Sequence, residues 1–369
     1  MASGRLTLRQ LQVLHRHGDR SPLRNVFRGA DAATEALEVT RWETRLQTDT
    51  RTTALGDRFQ LDHRHPIVTS LQTRPFGCLT QKGIEQMEAR GSLLAAFCAQ
   101  EGLSFSTMGL DDVKVYCNAY LRTQMSVQGL LTGLFADHAH LDPLIQVLAP
   151  HEDMIHTYTV YPEIAELKVQ MDRENDALKT REHEMAKQKA ELMTLLPSYR
   201  VALDPFQWMT CYDYFTCRAA HELPLIPGTE ALEDDTLRHI TFRFNQFYSH
   251  RRIRSLLVGM LLDNVLQEMT KAQQEASDAK KLIVYSGHDV SILAILHAID
   301  AEIVHNEKWW PGYSSAVSLE LLEDEAGKWF VQTRIDGAVL GLRPIGQPSP
   351  VAHDEFVGII HDKNDLKAT

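Results

Sequence analysis

The chain is short of cysteine, of long apolar runs and of positive charge, and each shortage removes a class of protein. Five cysteines in 369 residues (Cys78, Cys98, Cys117, Cys211 and Cys217) are few, and odd in number. None forms a CxxC pair, so zinc ribbons and thioredoxin-type chemistry have no support. The best apolar stretch, Leu256–Leu262, falls far short of the ~20 residues that cross a bilayer, so no stable membrane insertion is expected. The opening residues, MASGRLTLRQLQVLHRHG, carry no apolar h-region. Together these features read as a cytoplasmic protein with reduced thiols. The net charge of −11 argues against a nucleic-acid or anionic-membrane partner, which needs a broad basic face. No GxxxxGK[ST] loop is present, so P-loop nucleotide hydrolysis is out. Oligomeric state has no signature in the sequence.

What is present is ordinary in bulk. Apolar residues make up 44% and charged residues 24%, as in a globular protein. The length fits one large domain with an insertion, or two domains. The segment 6–14 (LTLRQLQVL) alternates apolar and polar residues and reads as a strand. It runs into HRHGDRSP, which Gly18 and Pro22 mark as a loop. Residues 24–75 read as loop with short helices. A helix is predicted over 80–98, with Thr80 as N-cap, then a short strand at 113–116 and a helix through 125–135. This βαβα rhythm favours a parallel sheet flanked by helices.

The rhythm stops near residue 135. Residues 164–194 are highly charged and free of Gly and Pro, so they read as one long solvated helix. Another helical stretch covers 236–276. The α/β pattern returns with a buried strand at 281–285, the loop SGHD and a helix over 290–299. Two strands, 316–322 and 329–335, should pair across the turn-rich EDEAG. The expected fold is therefore α/β: a three-layer core with a mainly parallel central sheet flanked by helices, plus an inserted, mostly helical cap. The core should comprise 1–136 and 279–369, and the cap 137–278.

The chemistry is concentrated in Arg16-His17-Gly18-Asp19-Arg20-Ser21-Pro22, where the first strand ends. Ligand sites of open α/β sheets lie at such strand ends. A phosphate ester needs charge compensation on its oxygens, in-line attack and a protonated leaving group. Arg16 and Arg20 offer planar, permanently charged forks. Gly18 lets backbone approach closely. Between the arginines, His17 is a competent nucleophile when neutral, and the positive neighbours lower its pKa.

RHGxRxP also resembles the signature of the histidine phosphatase superfamily, acid phosphatase branch, and four further elements follow in order. Gly77-Cys78-Leu79-Thr80-Gln81-Lys82-Gly83, with Gln86, is similar to that family's helix start. Arg122-Thr123 with Ser126 matches its third phosphate-binding arginine. His288-Asp289 matches its late H-D pair, and Pro311–Ser315 with Glu320-Leu321 its closing segment. The resemblance implies that His17 is the nucleophile and Asp289 the general acid. It further implies that Arg16, Arg20, Arg122 and His288 hold the phosphate, without metal or cofactor. Its finer texture, in LTQKGIEQMEARG, RTQMSVQGLLTGLF, KLIVYSGHDVSILAIL and KWFVQTRIDG, is similar to the lysophosphatidic acid phosphatase type. The substrate would then be a small phosphate monoester, a lysophospholipid among the candidates. Cys117-Asn118 depart from the family pattern ahead of Arg122, where a small hydroxyl residue and an acid or Thr are commoner. That puts substrate contacts in question rather than chemistry.

Other patterns carry less. His63-Arg64-His65-Pro66 mimics the main motif but lacks the Gly and the second Arg. His138-x-His140 and His15-x-His17 have metal-like spacing without a converging ligand set. Cys117 and Arg122 are one residue too close for a C-x5-R phosphatase loop. The aromatic stretch 205–227 could wall an apolar-tailed substrate, although the inner face of the cap explains it as well. Two rival functions remain. One is an inositol polyphosphate phosphatase on the same fold, which needs extra cations such as Arg24, Arg28 and Arg74. The other is a non-catalytic phosphate-binding scaffold, against which the retention of both His17 and Asp289 speaks.

Overall fold

The computed structural model describes residues 5–63, 74–158, 160–346 and 350–364. Among them, nine strands form one sheet: β1 (Thr7–Arg16), β2 (Leu61–His63), β3 (Val113–Cys117), β4 (Ile145–Val147), β5 (Leu282–Gly287), β6 (Ala316–Glu323), β7 (Trp329–Ile335), β8 (Ala338–Val339) and β9 (Val351–Ala352). The order across the sheet is β2-β4-β3-β5-β1-β6-β7-β8, with β9 also paired to β7. The five strands from β2 to β1 run parallel. From β1 onward the pairings are antiparallel, including the expected β6–β7 hairpin. The catalytic-motif segment 64–66 proposed as a mimic lies outside the described residues.

Helices cover both faces. After β1 come α1 (Ala32–Glu43) and α2 (Asp49–Arg58), and after them α3 (Gln81–Gln100) and α4 (Leu121–Leu134). Between β4 and β5 lie α5 (Glu163–Glu174), α6 (Asp176–Glu184), α7 (Ala186–Leu195), α8 (Pro197–Arg200), α9 (Trp208–Ala220), α10 (Glu233–Ser249) and α11 (Arg251–Gln273). Beyond β5 are α12 (Asp289–Ala298) and α13 (His353–Lys363). One core joins Leu11, Val13, Val115 and Val284 of the sheet to α3 and α4. A second joins Leu14, Ile283, Tyr285 and Val317 to α11, α12 and α13. The result is a helix–sheet–helix sandwich. The alternation in β1 is not a wet face. Gln10 and Gln12 are buried, and their amides donate to the Glu268 and Val265 carbonyls of α11 at 3.0 Å each. The glutamines satisfy buried polar groups and fix α11 on the sheet.

The long solvated helix expected at 164–194 is instead three helices. Asn175 is extended, and its side chain accepts from the Leu178 N–H at 3.0 Å, so it caps α6 rather than continuing α5. A second break falls at Met185. Ile164, Leu178, Met185 and Leu192 are all buried. Their 14- and 7-residue spacings would fall on one stripe of a straight helix too, so it is the local cap at Asn175 rather than the apolar spacing that marks the first break. His250 likewise divides 236–276 into α10 and α11, accepting from the Ile253 N–H. The division expected at residues 136 and 278 does not follow the layers. Strand β4 joins the sheet beside β3, and α11 forms part of the sandwich. What remains apart is a smaller core formed by Met185, Leu192, Trp208, Tyr212, Phe215 and Ile240. Val26 and Phe27 from the N-terminal segment join it.

Candidate active site

The carboxyl ends of β1, β3 and β5 deliver the site. Strand β1 ends at Arg16, β5 ends at Gly287 just before His288-Asp289, and Asn118 follows β3 directly. Helix α4 begins at Leu121, four residues earlier than its apolar spacing announces, which puts Arg122 in its first turn. Parallel pairing brings Arg16 opposite Gly287, so the two motifs meet across a strand gap.

Close backbone packing holds the RHGDR loop. A Cβ on Gly18 would meet the Gly83 carbonyl oxygen at 2.1 Å, and a Cβ on Gly83 would meet the Asp19 oxygen at 2.2 Å. Only hydrogen fits on either side, so the N-terminus of α3 lies directly on the loop. Thr80 caps α3 as expected, accepting from the Gly83 N–H, and its hydroxyl donates to Asp19 Oδ1 at 2.5 Å. The same oxygen accepts from His221 Nε2 at 2.6 Å, tying the loop to the end of α9.

His17 is buried, and its Nδ1 lies 2.8 Å from the Gly18 carbonyl oxygen. A carbonyl only accepts, so Nδ1 carries the hydrogen and the neutral ring keeps its lone pair on Nε2. Burial, then Arg122, Arg16 and Arg20, hold this imidazole well below its ordinary pKa. The arginines contribute as the sequence suggests, but loss of water is the larger cause.

The three guanidinium groups differ in their anchors. Arg16 donates to the Pro311 carbonyl at 2.5 Å, lies 4.3 Å from the Tyr313 ring centroid and pairs with Asp289 Oδ2 at 3.1 Å. Arg20 pairs with Asp213 Oδ1 at 2.7 Å, a residue of α9 that also accepts from the Leu23 N–H. Arg122 stacks 4.5 Å from the Tyr120 centroid and has only His288 Nδ1, at 3.4 Å, beside its Nη2. Burial and neighbouring Arg20 lower its pKa to about 10. The Nε–H of all three is buried without an acceptor. Three cations with one bound carboxylate each at most, and unmet donors on each, leave a strong deficit of negative charge.

His288 sits 5.5 Å, ring to ring, from His17. Asn118 defines its tautomer. The Asn118 Oδ1 accepts from the Thr123 hydroxyl at 2.6 Å, so its Nδ2 donates to His288 Nε2 at 3.0 Å. The ring hydrogen therefore resides on Nδ1, beside Arg122, as one more donor for an anion. Asp289 begins α12. Its Oδ1 accepts from the Val290 N–H at 2.8 Å and its Oδ2 from Trp310 Nε1 at 3.1 Å. Burial alone would raise its pKa; Arg16, Arg20, Trp310 and Val290 overcome that and hold it below the ordinary carboxylate value.

All six residues singled out in the sequence thus lie together. Those that sequence reasoning missed are Asp213, His221 and His156 from the interrupting segment, the last with its ring 4.9 Å from that of His288, together with Asn118 and Trp310. The first three had no local motif to announce them. Asn118 was visible as a departure from a pattern, and Trp310 directly precedes the Pro311–Ser315 element. Arg24 and Arg28 share Asp204 at 3.3 and 3.5 Å, whereas Arg74 lines a cavity of about 250 Å³ with Arg122. Among the described residues no three His, Cys, Asp or Glu side chains gather as a metal site. All five cysteines are free thiols.

A buried imidazole with one free lone pair, ringed by arginines of which one is paired with a carboxylate, agrees with what the sequence shares with known proteins. Lysosomal acid phosphatase of Xenopus laevis is 27% identical over 306 residues, 75% of this chain and 66% of that protein. The chain thus spans just under two thirds of that relative. Lysophosphatidic acid phosphatase type 6 of Bos taurus is 24% identical over 89% of the chain and 77% of its own length. Among solved structures, the phytase of Citrobacter braakii superposes with a TM-score of 0.64 at 13% identity, covering 97% of this chain and 98% of that one. Hafnia alvei phytase in complex with tartrate gives 0.63 at 15% identity, over 99% and 98%. These two show the fold. The description "Histidine phosphatase superfamily (branch 2)" matches residues 7–335, from the first residue of β1 to the last of β7, and the chain belongs to that family.

Proposed function

We propose that the protein is a phosphomonoesterase that works through a phosphohistidine on His17, with Asp289 as proton donor. The observation that carries this reading is the Nδ1 contact of His17 to the Gly18 carbonyl, which leaves Nε2 unprotonated in a cluster of three arginines. Nε2 forms a bond to phosphorus while the ester P–O bond breaks, and the departing oxygen takes the Asp289 proton. Water then attacks the phosphohistidine and gives its proton to the Asp289 carboxylate. The P–N bond breaks, phosphate leaves, and His17 returns to its neutral form. Arg16, Arg20, Arg122 and His288 Nδ1–H compensate the charge on the non-bridging oxygens throughout. Side chains supply all of that charge in this scheme, so turnover should survive EDTA.

The substrate class is a phosphate monoester, and the acid phosphatase relatives support it. Lysophosphatidate is the first lipid to test, on the strength of the Bos taurus relative. The inositol polyphosphate reading draws on one observation, Arg74 beside Arg122. It is weakened because Arg24 and Arg28 are engaged by Asp204. Brief exposure to labelled p-nitrophenyl phosphate, followed by quenching, should trap an acid-labile, base-stable phosphoprotein. His17→Ala should neither turn over nor label. Label persisting on that variant would overturn the assignment. Initial rates on lysophosphatidate and inositol hexakisphosphate then separate the substrate readings.

A further inference from the structure

Beside the phosphate clamp, the helices between β4 and β5 line an open cavity of about 500 Å³. That is the size range of small-molecule sites. Phe206, Trp208, Met209, Phe244 and Phe247 form its apolar wall. The stretch 205–227 therefore divides. Its first residues face this cavity, while Cys211, Tyr214, Phe215 and Cys217 are buried core.

The polar wall is nearly balanced, and the imbalance is informative. Arg243 pairs with Asp172 through both carboxylate oxygens, at 2.8 and 2.9 Å, and with Glu182 at 3.2 Å. Glu182 also accepts from Trp208 Nε1, His239 and Lys189. Both carboxylates are thus spoken for. Lys168 is not matched in this way. Its ammonium donates to the Tyr158 hydroxyl at 2.5 Å, ring faces surround it, and Asp172 acts on it only from a longer distance. The centroids of Tyr158, Phe244, Phe247 and Tyr248 lie 4.5, 4.8, 5.2 and 5.6 Å from Nζ. Ring faces compensate charge weakly and accept no strong hydrogen bond. An ammonium has three donors, so two remain for water or a ligand in the cavity. Burial, helped by Arg243 and opposed by Asp172, brings the Lys168 pKa down to about 7, the mark of an under-compensated cation.

The cavity adjoins the phosphate clamp across one pair of aromatic side chains. Phe244 packs edge-on against Trp310 at 5.2 Å, and the Trp310 indole is held by Asp289. We propose that this cavity is a second ligand site, taking an organic carboxylate with an apolar body. The carboxylate completes the hydrogen bonds of Lys168, and the body lies against Phe206, Trp208 and Met209.

Calorimetric titration of the intact protein with 2-naphthoate tests it, with inorganic phosphate saturating the clamp and 2-naphthalenemethanol as the uncharged comparator. Naphthoate should bind with phosphate present, and more tightly than the alcohol. Lys168→Met should weaken naphthoate at least about tenfold, as expected for losing a hydrogen bond to a charged group, and leave the alcohol nearly unchanged. Hydrolysis of p-nitrophenyl phosphate by Lys168→Met should match wild type, which also reports that the variant is folded. Met209→Trp, which narrows the cavity, should weaken both ligands. Naphthoate binding that phosphate abolishes, or that Lys168→Met leaves intact, would overturn the proposal.

Discussion

The guanidinium of Arg16 lies 3.1 Å from the carboxylate of Asp289, so in the proposed mechanism one group would serve both the clamp and the acid. In the free protein this contact helps hold Asp289 ionised, the wrong state for donating a proton. A bound phosphate monoester changes that. It draws on the charge of Arg16 and Arg20 and adds negative charge of its own, and both effects raise the Asp289 pKa. In the proposed mechanism, substrate binding therefore favours the protonated form of its own acid. The kcat/KM profile reports the free enzyme and the kcat profile the complex. The fall in rate with rising pH should accordingly set in at higher pH for kcat than for kcat/KM. Profiles on an alkyl phosphate check this, and coincident limbs would refute it.

Trp310 gives a cleaner handle on the same carboxylate, because it is not part of the clamp. Its indole N–H lowers the Asp289 pKa, so removing the donor must raise it. Trp310→Phe keeps a ring against Tyr212 and Phe244. The alkaline limb of kcat/KM should move upward by about one pH unit, the worth of a hydrogen bond to a charged group. A drop in rate with no shift of the limb would mean that Trp310 only shapes the pocket.

The chain's ends were far easier to read than its middle, for a physical reason. His17, Arg122 and Asp289 lie where a strand or helix begins or stops, and Gly, Thr and strand periodicity leave local marks at such places. Asp213 and His221 act through tertiary contact alone, reaching Arg20 and Asp19 from a helix about two hundred residues away in sequence. Nothing nearby in sequence records that partnership. The break at Asn175 was legible in principle, since Asn favours caps, but the run of charge around it concealed the buried Leu178.

Asn118 should prove a positioning residue for His288. Without its Nδ2 donor, the imidazole is free to place hydrogen on either nitrogen, and Nδ1–H is no longer guaranteed to an anion. Asn118→Ala should weaken inhibition by inorganic phosphate about tenfold, one hydrogen bond's worth. Nitrogen chemical shifts of the His288 ring should show a change of tautomer population. Unchanged shifts beside weakened inhibition would place the effect elsewhere.

Gly83 tests the packing beneath the loop. A methyl group there meets the Asp19 backbone at 2.2 Å, and backbone has no rotamer into which to retreat. Gly83→Ala should separate α3 from the loop, at a stability loss of about 3 kcal/mol by urea unfolding. Turnover should fall further than stability alone explains, because His17 and Arg20 move with the loop. A variant as active and stable as wild type would show that α3 does not set their position.

Asp289→Asn separates the two halves of the reaction. An alkoxide leaves poorly unless it is protonated in the transition state, so alkyl phosphates depend on the acid for the first bond cleavage. p-Nitrophenolate leaves readily without a proton, and its phosphoenzyme should form even when the acid is gone. The carboxamide keeps the size of the side chain and an oxygen that can accept from the Val290 N–H, so the start of α12 is preserved. It can neither give a proton to an alkoxide nor take one from the attacking water. With p-nitrophenyl phosphate, the variant should release about one equivalent of nitrophenol per site in a burst and then stall at the phosphohistidine. With an alkyl phosphate, such as glycerol 3-phosphate, no burst should appear, and the rate should fall by roughly 10²–10⁴, the usual contribution of general acid catalysis. Rapid-quench measurement of phosphoprotein alongside nitrophenol decides the matter. Equal loss of phosphorylation from both substrates would remove Asp289 as the acid and direct attention to Asp19 or Glu320, the buried carboxyl groups on β1's loop and on β6.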